Sequence, residues 1–141
     1  VLDPMCGTGG LLIEAGLLGA DTIGLDAQEK MVRGARKNLQ SALGGSPQVG
    51  QGDGTALPIR DDCVDAVVFD APYGRQSKIA SHGLEELIQG ALTEAARVSS
   101  RAVLVADREY DTLARRAGWT LGEKHVRRVH RSLTRYVHVL V

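Results

Sequence analysis

Short apolar runs alternate with amphipathic segments along most of this chain of 141 residues. Apolar runs of roughly four to eight residues between turn residues are typical of buried strands, and the segments between them carry helical spacing. When strands and helices alternate in this way, neighbouring strands run parallel and the helices cross over the faces of the sheet. We therefore predict an α/β fold of three layers around a mostly parallel sheet.

The same pattern predicts the individual elements, and it changes near the C-terminus. The predicted helices cover residues 9–18, 28–39, 84–98 and 108–117. The predicted strands cover residues 1–2, 22–25, a short run around 49, 64–69, 102–106, 119–129 and 133–141. Only the polar segment His130-Arg131-Ser132 separates the last two strands, so we expect them to pair as an antiparallel hairpin. The predicted sheet has seven strands and ends in this hairpin.

The chain is long enough for one hydrophobic core, and we expect residues 1–141 to form one domain. Because the sequence begins with Val1 rather than Met and lies within a predicted strand from its first residue, we expect this domain to be the C-terminal part of a longer chain. The total charge is balanced, with 17 basic and 17 acidic residues. Residues 1–100 hold 8 basic and 13 acidic side chains, however, and residues 101–141 hold 9 and 4. The basic C-terminal part points to a nucleic-acid face, although a solvated surface would give the same count.

Cysteine spacing and hydropathy predict the cellular compartment of the protein. Cys6 and Cys63 are far apart and have no partner at zinc-ligand spacing. This argues against a disulfide framework and against a metal site, and it favours a reducing cytoplasm. No apolar run approaches the roughly 18 residues of a membrane helix, so we expect no membrane association.

A glycine turn follows the first predicted strand, in Asp3-Pro4-Met5-Cys6-Gly7-Thr8-Gly9. Gly7 and Gly9 permit a tight strand-to-helix turn, in which backbone N–H groups approach a ligand closely. The third glycine of the dinucleotide fingerprint is replaced by Leu12, which argues against a nicotinamide cofactor. A purely structural turn is the alternative.

Three carboxylates are predicted at successive strand ends, on one edge of the sheet. Asp26 follows the glycine turn by about twenty residues, at the position that accepts hydrogen bonds from ribose hydroxyls. Asp53 could accept a hydrogen bond from an adenine amine, and Asp3 could bind a cation. Asp26 could instead cap the following helix, and each aspartate alone could be a turn residue. The candidate cofactor residues are Asp3, Cys6, Gly7, Thr8, Gly9, Asp26, Ala27, Asp53 and Gly54.

A second site is predicted where the strand 64–69 ends in Asp70-Ala71-Pro72-Tyr73. The Asp70 carboxylate and the Ala71 carbonyl can together accept both hydrogens of an exocyclic base amine. Pro72 restricts the backbone before it, and Tyr73 can stack on the base. Tyr73 could instead pack under the loop 74–82. That loop could close over a bound base, or it could be a plain surface connection.

The second cluster resembles the acceptor motif of class I S-adenosylmethionine-dependent amino-methyltransferases, in which Asp or Asn is followed by Pro, Pro and an aromatic residue. Ala71 departs from that pattern, because it stands where the first proline is expected. Four segments together resemble, more narrowly, the archaeal tRNA guanosine-10 N2-methyltransferase family. They are the glycine turn, Ile23-Gly24-Leu25-Asp26, Gly52-Asp53-Gly54 and the acceptor motif with Gly74. The tail Val129-His130-Arg131-Ser132-Leu133-Thr134-Arg135-Tyr136 is similar to that family as well.

The resemblance implies a Rossmann-like class I methyltransferase fold with S-adenosylmethionine as cofactor. Asp3 would then bind the methionine ammonium, and Asp70, Ala71, Pro72 and Tyr73 would be the catalytic residues. The implied reaction is methylation of a guanosine N2 in tRNA, at position 10, once or twice. The implied partners are tRNA and an upstream RNA-binding THUMP domain, and we expect a monomer.

Three other functions remain compatible with these residues. The acceptor motif by itself also fits adenine N6, and the substrate could be rRNA rather than tRNA. The chain could also be a non-catalytic module of the same fold that binds RNA or a partner subunit, with Ala71 as a sign of lost activity. The four intact carboxylates Asp3, Asp26, Asp53 and Asp70 argue against the last of these.

Overall fold

The computed structural model describes residues 1–73 and 81–141, apart from the side chains of residues 81 and 82. Within these ranges the chain forms seven strands and four helices. The strands are β1 (Leu2–Asp3), β2 (Ile23–Asp26), β3 (Gln48–Gln51), β4 (Val67–Asp70), β5 (Ala102–Ala106), β6 (Leu121–His130) and β7 (Leu133–Leu140). The helices are α1 (Gly10–Leu17), α2 (Glu29–Leu43), α3 (Ser81–Val98) and α4 (Asp111–Arg116).

The strands form one sheet in the order β3-β2-β1-β4-β5-β7-β6. The first five run parallel, and β7 lies antiparallel to both β5 and β6. The predicted fold class is therefore confirmed, including the C-terminal hairpin. The chain moves outward from β1 to β3 and then returns to place β4 beside β1. This reversal of strand order lies between β1 and β4, and ligands of open α/β sheets bind beyond the carboxyl ends of strands at such a point.

The core lies on both faces of the sheet. A smaller cluster packs under α1 and α2 and includes Leu12, Val32 and Leu39. A larger cluster packs under α3 and α4 and includes Phe69, Ile88, Leu92, Leu104 and Leu140, none of which is exposed to solvent. The helices therefore sandwich the sheet, and its carboxyl edge is the side on which the predicted aspartates lie.

The fourth strand is shorter than predicted, because it begins at Val67 rather than at residue 64. The N–H of Asp62 donates to the Arg97 carbonyl at 3.0 Å, and that of Val64 donates to the Val98 carbonyl at 3.1 Å. The last carbonyls of a helix have no partner within it. Residues 62–64 satisfy the end of α3 and so do not continue the strand.

Helix ends also differ from the prediction. Helix α2 runs to Leu43, four residues further than predicted, and Leu43 packs against Gly16 of α1, where a Cβ would collide with it. Helix α3 begins at Ser81, inside the predicted loop 74–82, and helix α4 begins only at Asp111. Residues 74–80 lie outside the described residues, and the predicted closure of this loop over a bound base falls on them.

No helix in the described ranges has the length and hydropathy needed to cross a membrane.

Candidate functional site

Asp3 and Asp70 end the two strands that flank the reversal of strand order. Asp3 is the last residue of β1 and Asp70 is the last residue of β4, and these strands are paired in parallel. Asp26 ends β2 on the other side of β1. The structure thus brings three of the four predicted carboxylates to neighbouring strand ends at one edge of the sheet.

The glycine turn joins β1 to α1. Gly7 has a φ of +52° and Gly9 has a φ of +90°, both in the left-handed region that favours glycine. A Cβ on Gly7 would meet no atom of the described residues within 4 Å. Gly9 caps α1 with no side-chain hydrogen bond. The turn therefore leaves open space beside Gly7 near the start of a helix, where N–H groups are unpaired.

The Asp26 carboxylate holds the turn in place. Its Oδ2 accepts the Gly7 N–H at 2.9 Å, and its Oδ1 accepts the Gln28 N–H at 2.9 Å. The second bond forms a turn just before α2, whose N-cap is Gln28 and has no side-chain capping hydrogen bond, so Asp26 does not cap the helix as the sequence allowed. Each carboxylate oxygen can accept a further hydrogen bond. Asp26 can therefore support the turn and still receive a ligand hydroxyl.

Asp3 is a buried carboxyl group. Only 2% of the residue is exposed, and its Oδ1 accepts the Met5 N–H at 3.0 Å. Burial raises the pKa of Asp3 to about 7, against the effect of the Met5 bond and with a further contribution from the nearby Asp26 and Asp70. No ion pair involves Asp3 within residues 1–73 and 83–141. A buried carboxyl group among other carboxylates suits a cationic ligand, which would restore its charge.

Asp53 and Gly54 follow β3 by two and three residues. Asp53 is exposed, and its Oδ1 accepts both the N–H of Thr55, at 2.8 Å, and the Thr55 hydroxyl, at 2.7 Å. These bonds hold the pKa of Asp53 below its usual range. A Cβ on Gly54 would lie 3.0 Å from the Pro4 carbonyl oxygen. Gly54 thus lets this loop lie against the segment that follows β1, and Asp53 stabilises its turn.

The other three candidate cofactor residues have structural contacts of their own. Cys6 belongs to the core under α1 and α2, and burial raises the pKa of its thiol to about 12, so the thiol stays protonated. The carbonyl of Thr8 accepts a hydrogen bond from the Asn38 amide. The Ala27 carbonyl accepts one from the Gln51 amide. Thr8 and Ala27 are exposed, and their side chains are free of these contacts.

The acceptor motif extends from the end of β4. The Tyr73 hydroxyl donates to Asp70 Oδ1 at 2.8 Å. Burial raises the pKa of Asp70, although the Tyr73 bond and Arg135 oppose this effect. Burial and the Asp70 carboxylate together raise the pKa of Tyr73 to about 12, so its hydroxyl remains a donor. The Ala71 N–H donates to the Val105 carbonyl at 2.8 Å, which continues the pairing with β5 past Asp70.

Arg135 is part of this cluster, and the sequence did not place it there. Its Nη2 lies 3.5 Å from Asp70 Oδ2, and its guanidinium carbon lies 5.8 Å from the centre of the Tyr73 ring. Its Nε is buried and has no partner in the described part of the chain. Alternation along β7 could have assigned Arg135 to a face of the sheet. Only the register of β7 against β5 brings that face to Asp70.

The histidine side chains described by the structure lie elsewhere. His138 is fully buried, where its Nε2 accepts the Tyr110 N–H at 3.2 Å. His125 and His130 are exposed on the hairpin. Cys6 and Cys63 are free cysteines.

Comparison with known proteins indicates a methyltransferase domain, as the sequence motifs do. A family model described as the RMKL-like methyltransferase domain, UPF0020, matches residues 1–137. The tRNA (guanine(10)-N2)-dimethyltransferase of Methanothermobacter thermautotrophicus is 37% identical over 99% of this chain and 43% of its own length. The probable tRNA (guanine(10)-N2)-dimethyltransferase of Methanothermococcus thermolithotrophicus is 32% identical over 99% of this chain and 86% of its own length.

A solved structure is similar to this chain as well. TrmN from Thermus thermophilus superposes with a TM-score of 0.76 at 26% identity, over 99% of this chain and 42% of TrmN. The chain also spans less than half the length of three archaeal relatives that it matches, with 43%, 44% and 40% covered. The resemblance drawn from the sequence motifs is confirmed. The chain belongs to the UPF0020 family of RMKL-like methyltransferase domains.

Proposed function

We propose that this chain transfers a methyl group from S-adenosylmethionine to the exocyclic N2 of a guanosine in tRNA. Position 10 is the proposed site, with one or two methyl groups added, because the archaeal relatives are named for that reaction. The observation that carries the proposal is the position of Asp3 and Asp70 at the ends of paired strands beside the reversal of strand order. A cofactor held at β1 and β2 therefore lies next to a base held at β4.

The residues on the cofactor side fit S-adenosylmethionine. The buried Asp3 carboxyl group has no described cationic partner and suits the methionine ammonium. Asp26 has acceptor capacity left for the ribose hydroxyls, and the open space beside Gly7 leaves room for a ligand. Asp53 is assigned to the adenine amine, in addition to its turn bonds. When bound, S-adenosylmethionine supplies an electrophilic methyl group.

On the acceptor side, Asp70 and Ala71 orient the amine. The lone pair of guanine N2 is delocalised into the ring, so the nitrogen is a poor nucleophile. Asp70 would accept one N–H and the Ala71 carbonyl the other, which turns the lone pair toward the methyl group. The contribution is one of orientation and electrostatics, and no covalent bond to the protein is required.

The remaining steps involve Tyr73 and a proton. Tyr73 would stack on the base after the base has left its helical stack, a contact worth about 1–3 kcal/mol in single-stranded recognition. The methylated nitrogen then loses a proton, to Asp70 or to water. Burial, which raises the pKa of Asp70, makes this carboxylate a better proton acceptor than an exposed one.

Partners and location follow from the same proposal. Stacking on one aromatic ring does not select a nucleotide, so position must be chosen elsewhere. We assign that choice to a THUMP-type domain upstream in a longer chain, of which residues 1–141 are the catalytic domain. Such a domain would raise the effective concentration of the correct base at Asp70. The free cysteines fit a cytoplasmic enzyme, and we propose that it acts as a monomer.

Mass analysis of nucleosides tests the reaction. A tRNA transcript is incubated with the protein and S-adenosylmethionine carrying a labelled methyl group, and the nucleosides are then separated. N2-methylguanosine or N2,N2-dimethylguanosine is the expected product. N6-methyladenosine would support the adenine alternative, and labelled rRNA in preference to tRNA would change the substrate. Cofactor binding with no methylated product on any RNA would support the non-catalytic module.

A second experiment tests whether the upstream domain, rather than the catalytic domain, selects the nucleotide. The 141-residue chain and a longer protein that carries an upstream THUMP domain are assayed on the same transcript, and rate and methylated position are both measured. We expect the shorter chain to be slower and less selective. Equal rates and equal positions would show that this domain selects its own nucleotide.

A further inference from the structure

We propose that Arg135 is a positioning residue of the acceptor site, which holds the Asp70 carboxylate in its charged form and ready to receive the amine of the base. The inference rests on the proposed function, because it extends the same site. Neither the acceptor motif nor the glycine turn includes Arg135.

The sheet register brings Arg135 to Asp70. Asp70 is the register partner of Val105 on β5, and Val105 is the partner of Val137 on β7. Arg135 precedes Val137 by two residues and therefore projects from the same face of the sheet as Val137 and Asp70. The arginine side chain reaches along this face and ends 3.5 Å from Asp70 Oδ2.

The two oxygens of Asp70 therefore have different partners. Oδ1 accepts the Tyr73 hydroxyl, and Oδ2 faces the Arg135 guanidinium. An ionised carboxylate accepts hydrogen bonds at both oxygens, whereas the protonated form also carries a donor. The N–H groups of a base amine are donors, so the ionised form, which is the stronger acceptor and carries no donor, suits the amine better.

Two neighbours of Asp70 favour its ionised form, the Tyr73 hydroxyl as a hydrogen-bond donor and Arg135 as a positive charge. Asp3 faces Asp70 from β1 and Asp107 from the end of β5, and both are acidic. Tyr73 donates from the chain that follows β4, and Arg135 lies on β7. Within the described residues, Arg135 is the one cation in ion-pair contact with Asp70. Removal of its charge would leave Asp70 half-buried beside the Asp107 carboxylate, with the Tyr73 hydrogen bond as the remaining described contact that favours ionisation.

The chain offers a matched control in Arg127. Arg127 is the cross-strand partner of Arg135 in the hairpin, so both side chains leave the same face. Arg127 is exposed and makes no ion pair with Asp70. Arg127→Gln therefore makes the same change of charge and side-chain length at the neighbouring position of the hairpin.

The first test follows the Asp70 carboxyl carbon by NMR as pH is changed, with the protein free of RNA and cofactor. The Asp70 signal is identified by its loss in Asp70→Asn. We expect Arg135→Gln to move the titration midpoint of Asp70 to higher pH, because an opposite charge at this distance favours the ionised form. Arg135→Lys should move it less, and Arg127→Gln should leave it unchanged. An unchanged midpoint in Arg135→Gln, or an equal shift in Arg127→Gln, would overturn the proposal.

A measurement on the unmutated protein covers the case in which Arg135→Gln does not fold. The side chains of Arg135 and Asp70 are 42% and 32% exposed, so salt should screen their attraction. Raising the salt concentration to about 1 M should therefore move the Asp70 midpoint upward. A midpoint that is insensitive to salt would contradict the assigned ion pair.

The second test measures single-turnover methyl transfer to tRNA between pH 5 and pH 8 with saturating cofactor. A higher Asp70 midpoint leaves less ionised carboxylate at low pH, so the acid limb should move upward in Arg135→Gln. We expect a rate about five- to tenfold lower at pH 5 and within twofold at pH 8, with partial recovery in Arg135→Lys. The loss should lie in the rate constant rather than in KM. An equal loss at every pH would overturn the role in ionisation. If the unmutated protein methylates no RNA, the proposed function fails, and the NMR titration still decides the role of Arg135.

Discussion

The carboxylate of Asp26 accepts a hydrogen bond from the Gly7 N–H at 2.9 Å, which ties the end of the second strand to the turn after the first. A residue without a side-chain acceptor at position 26 would remove that hydrogen bond from the Gly7 N–H. The same carboxylate also accepts the Gln28 N–H at the start of α2. One side chain thus shapes both the glycine turn and the start of the next helix.

Asp26→Ala should weaken binding of S-adenosylmethionine by about 1–3 kcal/mol, because hydrogen bonds to a charged acceptor are lost and the glycine turn loosens. Calorimetric titration with the cofactor or its demethylated product measures the change. Asp26→Asn retains one oxygen acceptor and should lose less. If Asp26→Ala binds the cofactor as tightly as the original protein, Asp26 is not part of the cofactor site.

Binding of S-adenosylmethionine at pH 6 should release a proton from Asp3. The pKa of Asp3 is about 7 in the free protein, so the group is mostly protonated at pH 6. The methionine ammonium would favour the ionised carboxylate and lower that pKa. Affinity should therefore increase as pH rises from 5 to about 7 and level off above it.

Calorimetry in two buffers of different ionisation enthalpy measures this proton release. Asp3→Asn, which cannot ionise, should abolish it. A binding enthalpy that is the same in both buffers would remove Asp3 from the ammonium site.

Gly24→Ala should destabilise the fold by about 1–3 kcal/mol through overpacking. A Cβ at Gly24 would lie 2.7 Å from Leu12 Cδ1 and 3.1 Å from Cys6 Sγ, in the core beneath the glycine turn. Gly10→Ala is the control, because a Cβ there meets nothing within 4 Å of the described residues and the backbone has no positive φ. Urea unfolding should give a lower midpoint for Gly24→Ala than for Gly10→Ala. Equal midpoints would contradict the packing argument.

Tyr73→Phe should lower the rate of methyl transfer roughly two- to tenfold, the effect expected for the loss of one hydrogen bond. The ring remains to stack on the base, but Asp70 loses the donor at 2.8 Å. Asp70→Ala should abolish turnover, and both variants should keep their cofactor affinity. Tyr136→Phe on β7 is the matched control. A full rate in Tyr73→Phe would show that its hydroxyl has no part in orienting Asp70.

Ala71→Pro should cost about 1 kcal/mol of stability while methyl transfer continues. Proline has no N–H, so the 2.8 Å bond from Ala71 to the Val105 carbonyl is lost. The carbonyl at position 71, which is assigned to the amine, is retained. Chemical denaturation and single-turnover rates measure the two effects, and a complete loss of activity would contradict the role given to that carbonyl.

The sequence by itself determined the fold class and the positions of most candidate residues. Periodicity predicted alternating strands and helices, and the short polar segment at residues 130–132 predicted the hairpin. Asp3, Asp26 and Asp70 were predicted at strand ends because each follows an apolar run. Local spacing suffices here, since a strand, a turn and a following helix are specified by neighbouring residues.

Only the tertiary structure decided which distant residues meet. Residues 62–64 cap α3 instead of extending β4, and Asp26 bonds to Gly7 across 19 positions of the chain. Arg135 reaches Asp70 because β7 pairs with β5 and β5 with β4, in a register that no local pattern encodes. Strand order and register are set by the packing of the whole sheet. The charge beside Asp70 is therefore a property of the fold rather than of the motif.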